Sequence, residues 1–174
     1  MIAPHDDKAM LPSSRLLKMG LVLPDAAQPQ FNYVPVVLHG DLAYVSGQLP
    51  KQDGEVRIKG RVGDTVSIEL AQEAARICAL QALACLAQAL GSIDHVTQIV
   101  RLSGFVASGF DFYQQPSVID AASELMVQVF GEAGRHARSA LGVSALPRNS
   151  AVELEVIAAF RSDRRASPNQ SNEK

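Results

Sequence analysis

Between Gly131 and Glu155 the chain reads GEAGRHARSALGVSALPRNSAVELE, and this stretch holds most of the residues able to do chemistry. A glycine-flexed loop carries Arg135 and Arg138, Arg148 follows, and a strand-like run then opens with Glu153 and Glu155. An arginine offers a planar fork that holds a carboxylate through two parallel hydrogen bonds. A glutamate beside such a fork can orient a water molecule or move a proton. That combination suits a small acidic substrate and the addition of water to it. The same residues also suit an ordinary surface of arginine–glutamate pairs, and taken alone the stretch leaves both readings open. His136 is either a proton-transfer group beside Arg138 or a loop histidine at a pocket rim. Glu155 shares a strand face with Glu153, either as a partner in a proton-sharing pair or as a solvated or salt-bridged carboxylate.

Other chemistries lack their residues. The chain holds no GxxxxGK[ST], no GxGxxG after a strand, no HExxH and no GxSxG. His5, His39, His95 and His136 do not fall at metal-ligand spacing, so neither a metal nor a cofactor is expected. Cys78 and Cys85 lie in a helix-like segment, about two turns apart on one face. That separation is too long for a disulfide within one helix, and both read as small buried apolar side chains.

Composition sets the frame. A chain of 174 residues fits one domain with a core of its own. Hydrophobic residues make up 47% and aromatics only 5% with no Trp, so the core must be aliphatic. The net charge of −2 argues against a general nucleic-acid binder, whose phosphate affinity needs clustered Lys and Arg. The N-terminus lacks a basic segment followed by an apolar one, and no apolar run is read as a membrane span. The expected location is cytoplasmic. Residues 1–14 read as a flexible terminus, 15–161 as a single domain, and the polar 162–174 as a disordered tail.

The elements that must position these residues follow from periodicity. Val36-Val37-Leu38 and Leu42-Ala43-Tyr44-Val45 flank His39-Gly40-Asp41, which predicts a hairpin. Gln52-Asp53-Gly54-Glu55 predicts a second turn, with a short strand over Val56 to Ile58. Ser67 to Leu90 predicts the longest helix, capped by Thr65 or Ser67 and closed by Gly91. Thr97 to Ala107 reads as a central strand, Pro116 to Phe130 as a second helix, and Ser139 to Val143 as a short strand. From Ala151 to Phe160 apolar residues alternate with Glu153, Glu155, Ile157 and Ala159, a final strand. The order predicts an α+β fold: a two-layer mixed sheet with two helices on one face. The other face, with Ile157 and Phe105, then needs cover from another subunit.

Several motifs in matching order resemble the RidA/YjgF family of reactive-intermediate deaminases. Ser46-Gly47-Gln48-Leu49-Pro50 resembles its SGQ[IL]P segment, Ala137-Arg138-Ser139 its ARS segment, and Leu146-Pro147 with Val152-Glu153-Leu154-Glu155 its LP…(V/I)E(I/V)E ending. Tyr33 precedes Ser46 by the family's interval, and the likeness spans about residues 16 to 161. The resemblance implies a chorismate-mutase-like α+β fold and a homotrimer with clefts between subunits. It implies hydrolysis of enamine and imine intermediates, such as 2-aminoacrylate, to 2-keto acids and ammonia without a cofactor. Carried over, Arg138 falls on the arginine that grips the substrate carboxylate, Glu153 on the glutamate near the attacking water, Gly47 on a backbone amide facing the ligand, and Tyr33 on a cleft-lining tyrosine. Asp120 falls near a frequent asparagine, and Ala140 stands where many members carry a cysteine. Asn-Tyr-Val-Pro replaces the familiar Pro-Tyr-Ser-Gln, 109–138 is longer than usual, and GRHARSALGV resembles a divergent branch. The expected partners are other copies of the chain and small 2-imino or 2-keto carboxylates, with neither membrane nor nucleic acid. A trimeric carboxylate binder without turnover is the alternative, and ribonuclease or translation-inhibitor activity a third reading that the net charge opposes.

Overall fold

The computed structural model describes residues 10–26, 28 and 31–161. The predicted hairpin forms from β1 (Val36–His39) and β2 (Leu42–Gln48), turning at Gly40 with φ of 58°. A second small hairpin, β3 (Lys51–Gln52) and β4 (Glu55–Val56), turns through Asp53 and Gly54, both at positive φ, as a tight two-residue loop requires. The helix α2 (Ile68–Leu90) starts where the Ser67 hydroxyl accepts from the Leu70 N–H and stops at Gly91 in the left-handed region. After it come β5 (Val96–Ala107), α3 (Gln115–Phe130), β6 (Ala137–Val143) and β7 (Val152–Phe160).

The main sheet has the order β1-β2-β7-β5-β6. All neighbours are antiparallel except β5 and β6, which the α3 crossover makes parallel. Val152, Leu154, Val156, Ala158 and Phe160 turn to the helices and are buried, and Glu153, Glu155, Ile157 and Ala159 turn to the other face. The core between sheet and helices is aliphatic, with Leu83, Leu86, Ile99, Leu102, Ile119, Leu125 and Leu154 fully buried. Cys78 and Cys85 are buried free thiols on α2 within it. Burial, with the Glu153 charge adding to it, pushes the Cys78 thiol well above its ordinary value. The opposite face is uncovered within one chain and exposes Val37, Tyr44 and Leu141.

Two expectations change. The N-terminal segment is not loose up to residue 14: Pro12–Lys18 forms a third helix, α1, with Leu16 buried. Leu11, at its N-cap, has no side-chain oxygen to offer. Asp94, from the turn before β5, supplies the missing acceptor, taking the Ser13 N–H at 2.8 Å and the Ser13 hydroxyl at 2.7 Å. Burial raises the Asp94 carboxyl, but these bonds and one from Ser92 outweigh it and hold the group below its usual value. The other change concerns α2, which is long and apolar enough to cross a membrane by length and composition. Of its most apolar window 67% is buried inside the protein's own core. The expectation for 162–174 and for the first nine residues falls outside the described residues.

Candidate functional site

The predicted site residues fall into two groups. Arg138 pairs with Leu102 across the β5–β6 ladder and so points to the helix side of the sheet. Its Nη1 donates to Asp120 Oδ1 at 2.9 Å and to Ser123 Oγ at 3.0 Å, both on α3. The Arg138 side chain remains 27% exposed and lines a groove of about 600 Å³ with Asp120, Ser123, Arg135 and His136. Ala140, two residues along the same edge strand, also faces the helix layer, opposite Gly104. A Cβ at Gly104 would lie within 2.6 Å of the Ile119 side chain. The missing side chain therefore lets α3 settle close to β5, which brings Asp120 and Ser123 within reach of Arg138.

The second group sits on the uncovered face. Glu153 pairs with Phe105 on β5 and lies against Gly47 of β2. The β2–β7 register skips between Val45 and Gln48, so Ser46 and Gly47 together oppose a single residue, a β-bulge. A Cβ at Gly47 would collide with the Glu153 carboxylate, so glycine here is a condition for that carboxylate's position. Tyr33, Ser46, Lys51 and Arg148 line the same cavity of about 470 Å³ with Gly47 and Glu153. Arg148 holds φ of 56° and Asn149 φ of 58°, a left-handed pair that non-glycine residues adopt at a cost. Burial raises the Glu153 carboxyl above its ordinary value, and the Glu155 charge raises it further.

Arg138 and Asp120 are therefore together, and Tyr33, Gly47 and Glu153 are together. The two groups are not joined within one chain: they occupy opposite faces of the sheet, with β5 between their strands. His136 is a groove residue, its Nδ1 2.6 Å from Gly134 O and its Nε2 3.1 Å from Ser123 Oγ. Sequence reasoning missed Ser123. Its spacing of three from Asp120 on a predicted helix was the available signal. Among the described residues no group of three His, Cys, Asp or Glu is placed to hold a metal.

A mixed sheet with a helix layer on one side and chemistry at its edge and open face defines the class of protein. Residues 13–160 match the family described as "YjgF/chorismate_mutase-like, putative endoribonuclease", and the chain belongs to this YjgF/RidA family. It is 43% identical over 146 residues to "Protein TCP17" of Trypanosoma cruzi, covering 83% of this chain and 91% of that one. The Agrobacterium tumefaciens protein Atu1372, of unknown function, has a similar solved structure, with a TM-score of 0.79 at 42% identity over 86% of this chain and 92% of that one. A Shewanella oneidensis protein described as "a putative endoribonuclease" superposes with a TM-score of 0.84 at 34% identity, over 87% of this chain and 100% of its own.

Proposed function

We propose that the chain is a hydrolytic deaminase of reactive 2-imino and enamine carboxylates, acting in clefts between the subunits of a homotrimer. The observation that carries this reading is the division of the site. An arginine fork on an edge strand and a glutamate on an uncovered face are two halves that a neighbouring copy can bring together. Arg138 takes the substrate carboxylate. The cleft wall with Tyr33, Gly47 and Ala140 positions the rest. A protonated imine carbon is already electrophilic, so the remaining task is to place one water. Glu153 accepts a proton from that water as its oxygen bonds to the carbon, then passes it to the departing nitrogen. As the C–N bond breaks, the hydroxyl gives up its remaining proton to become the keto oxygen, and keto acid and ammonium leave. The raised Glu153 carboxyl is brought towards the range in which such an exchange is efficient.

The test generates an imino acid in place with an amino-acid oxidase and follows keto acid and ammonia. The protein should accelerate both. Arg138→Ala should weaken binding of 2-oxobutyrate by about ten- to a hundredfold, the worth of a charge-assisted fork. The second reading, a carboxylate binder without turnover, is favoured by Asp120 already holding one end of Arg138. Tight binding with no acceleration across several imines decides for it. Endoribonuclease, the word attached to the family and to the Shewanella protein, is tested by RNA affinity, which should fall steeply with salt if that reading holds.

A further inference from the structure

Around Arg138 the hydrogen-bond donors and acceptors resolve into one directed chain. The Gly134 carbonyl can only accept, so the His136 Nδ1 at 2.6 Å must carry a proton. In the neutral ring Nε2 is then an acceptor, and the Ser123 hydroxyl at 3.1 Å donates to it. With its hydrogen committed, Ser123 Oγ presents lone pairs, and Arg138 Nη1 donates to them at 3.0 Å. The second Nη1 hydrogen goes to Asp120 at 2.9 Å. Both hydrogens of Nη1 are thus used on the protein. The side-on edge of the fork, Nε–H and Nη2–H, makes no hydrogen bond among the described residues, and the Arg138 side chain, 27% exposed, lines the groove. That edge is the one matched to a bidentate carboxylate.

We infer that Ser123 and His136 are positioning residues for the carboxylate-binding arginine: His136 sets the Ser123 hydroxyl, and Ser123 with Asp120 locks Nη1 so that the Nε/Nη2 edge faces the substrate. The inference rests on the reading of Arg138 as the carboxylate-binding residue. His136 is held by backbone at one end and Ser123 by an α3 backbone at the other, so the guanidinium inherits the rigidity of two elements. The loop makes this possible: a Cβ at Gly134 would strike the backbone of Met126 and Val127, so glycine lets the chain pass close under α3 before His136.

Calorimetric titration of the full chain with 2-oxobutyrate tests the inference. Ser123→Ala and His136→Phe should each weaken binding about three- to tenfold, the net worth of one hydrogen bond felt through Arg138, and Ser123→Thr should stay within about twofold of the parent. Because the two residues act through one link, Ser123→Ala combined with His136→Phe should be no worse than either alone. A merely structural role would give additive losses and no rescue by threonine. Affinity at the parent level in both single variants, or additive losses in the double, overturns the inference while Arg138→Ala still weakens binding by about ten- to a hundredfold. Parent-like binding by Arg138→Ala overturns the carboxylate-site reading itself and this inference with it.

Discussion

Glu153 sits where its charge is disfavoured, and this gives it two separable signatures. Its carboxyl is raised first by burial and then by Glu155, so the folded state favours the protonated form. A group raised in this way contributes stability at pH below its unfolded value and loses that contribution as pH climbs through the folded value. Glu153→Gln removes the ionisation. It should therefore raise the thermal midpoint at neutral pH, by an amount on the order of 1–3 °C, and the gain should vanish as the pH falls towards 4. The same variant should bind 2-oxobutyrate almost as the parent does and slow turnover about 10²- to 10⁴-fold, because Gln can hold water but cannot take its proton. Gly47→Ala tests the position rather than the group. The added methyl occupies the place of the carboxylate, a flexible side-chain end that can swing away. The chain should fold with an unchanged circular dichroism spectrum and lose turnover to a similar degree as Glu153→Gln. Full activity in Gly47→Ala would show that Glu153 works from elsewhere.

At the scale of elements, the helix layer is set by close approaches at small residues. Gly104 lies under Ile119, and the approach it permits places Asp120 and Ser123 over Arg138. Gly104→Ala overpacks this contact and should cost about 1–3 kcal/mol in denaturant unfolding. It should also weaken carboxylate binding by displacing α3 from Arg138, which a purely thermodynamic defect would not do. Elements of this kind were readable where their own residues carried the signal. Ser67 and Gly91 bracket α2 in sequence as they do in space, and the alternation from Val152 to Phe160 announces a strand with one buried face. The helix α1 was not readable, because its cap comes from Asp94, 81 residues away from Ser13. At the site, the family-like segments named Arg138, Glu153, Gly47 and Tyr33, but no linear pattern told that the chain divides them between two faces. The Ser123–His136 bond was hidden for the same reason: it spans 13 residues, and no local periodicity links an α3 serine to a loop histidine.

The whole molecule raises the question of how the two half-sites meet. The uncovered face carries Val37, Tyr44 and Leu141 as exposed apolar side chains beside Glu153 and Glu155, a surface that a second copy can bury. A ring of copies uses heterologous contacts, each subunit giving one surface to the next and a different one to the last. The trimer that the family resemblance implies would close that ring with three copies, and light scattering at micromolar concentration should give three chains; a monomer would refute it. The ring also makes a sharper prediction about function. If each cleft takes Arg138 from one subunit and Glu153 from its neighbour, two impaired variants can repair each other when assayed at substrate well below saturation. Arg138→Ala keeps an intact Glu153 half, and Glu153→Gln keeps an intact Arg138 half. After unfolding and co-refolding in equal amounts, the assortment of subunits is random, and roughly one cleft in four joins the two intact halves. Activity should then recover to about a quarter of the parent's per cleft, where neither variant alone shows any comparable rate. If both residues of a cleft came from one subunit, no mixture could restore a cleft, and the co-refolded sample would stay as slow as its components.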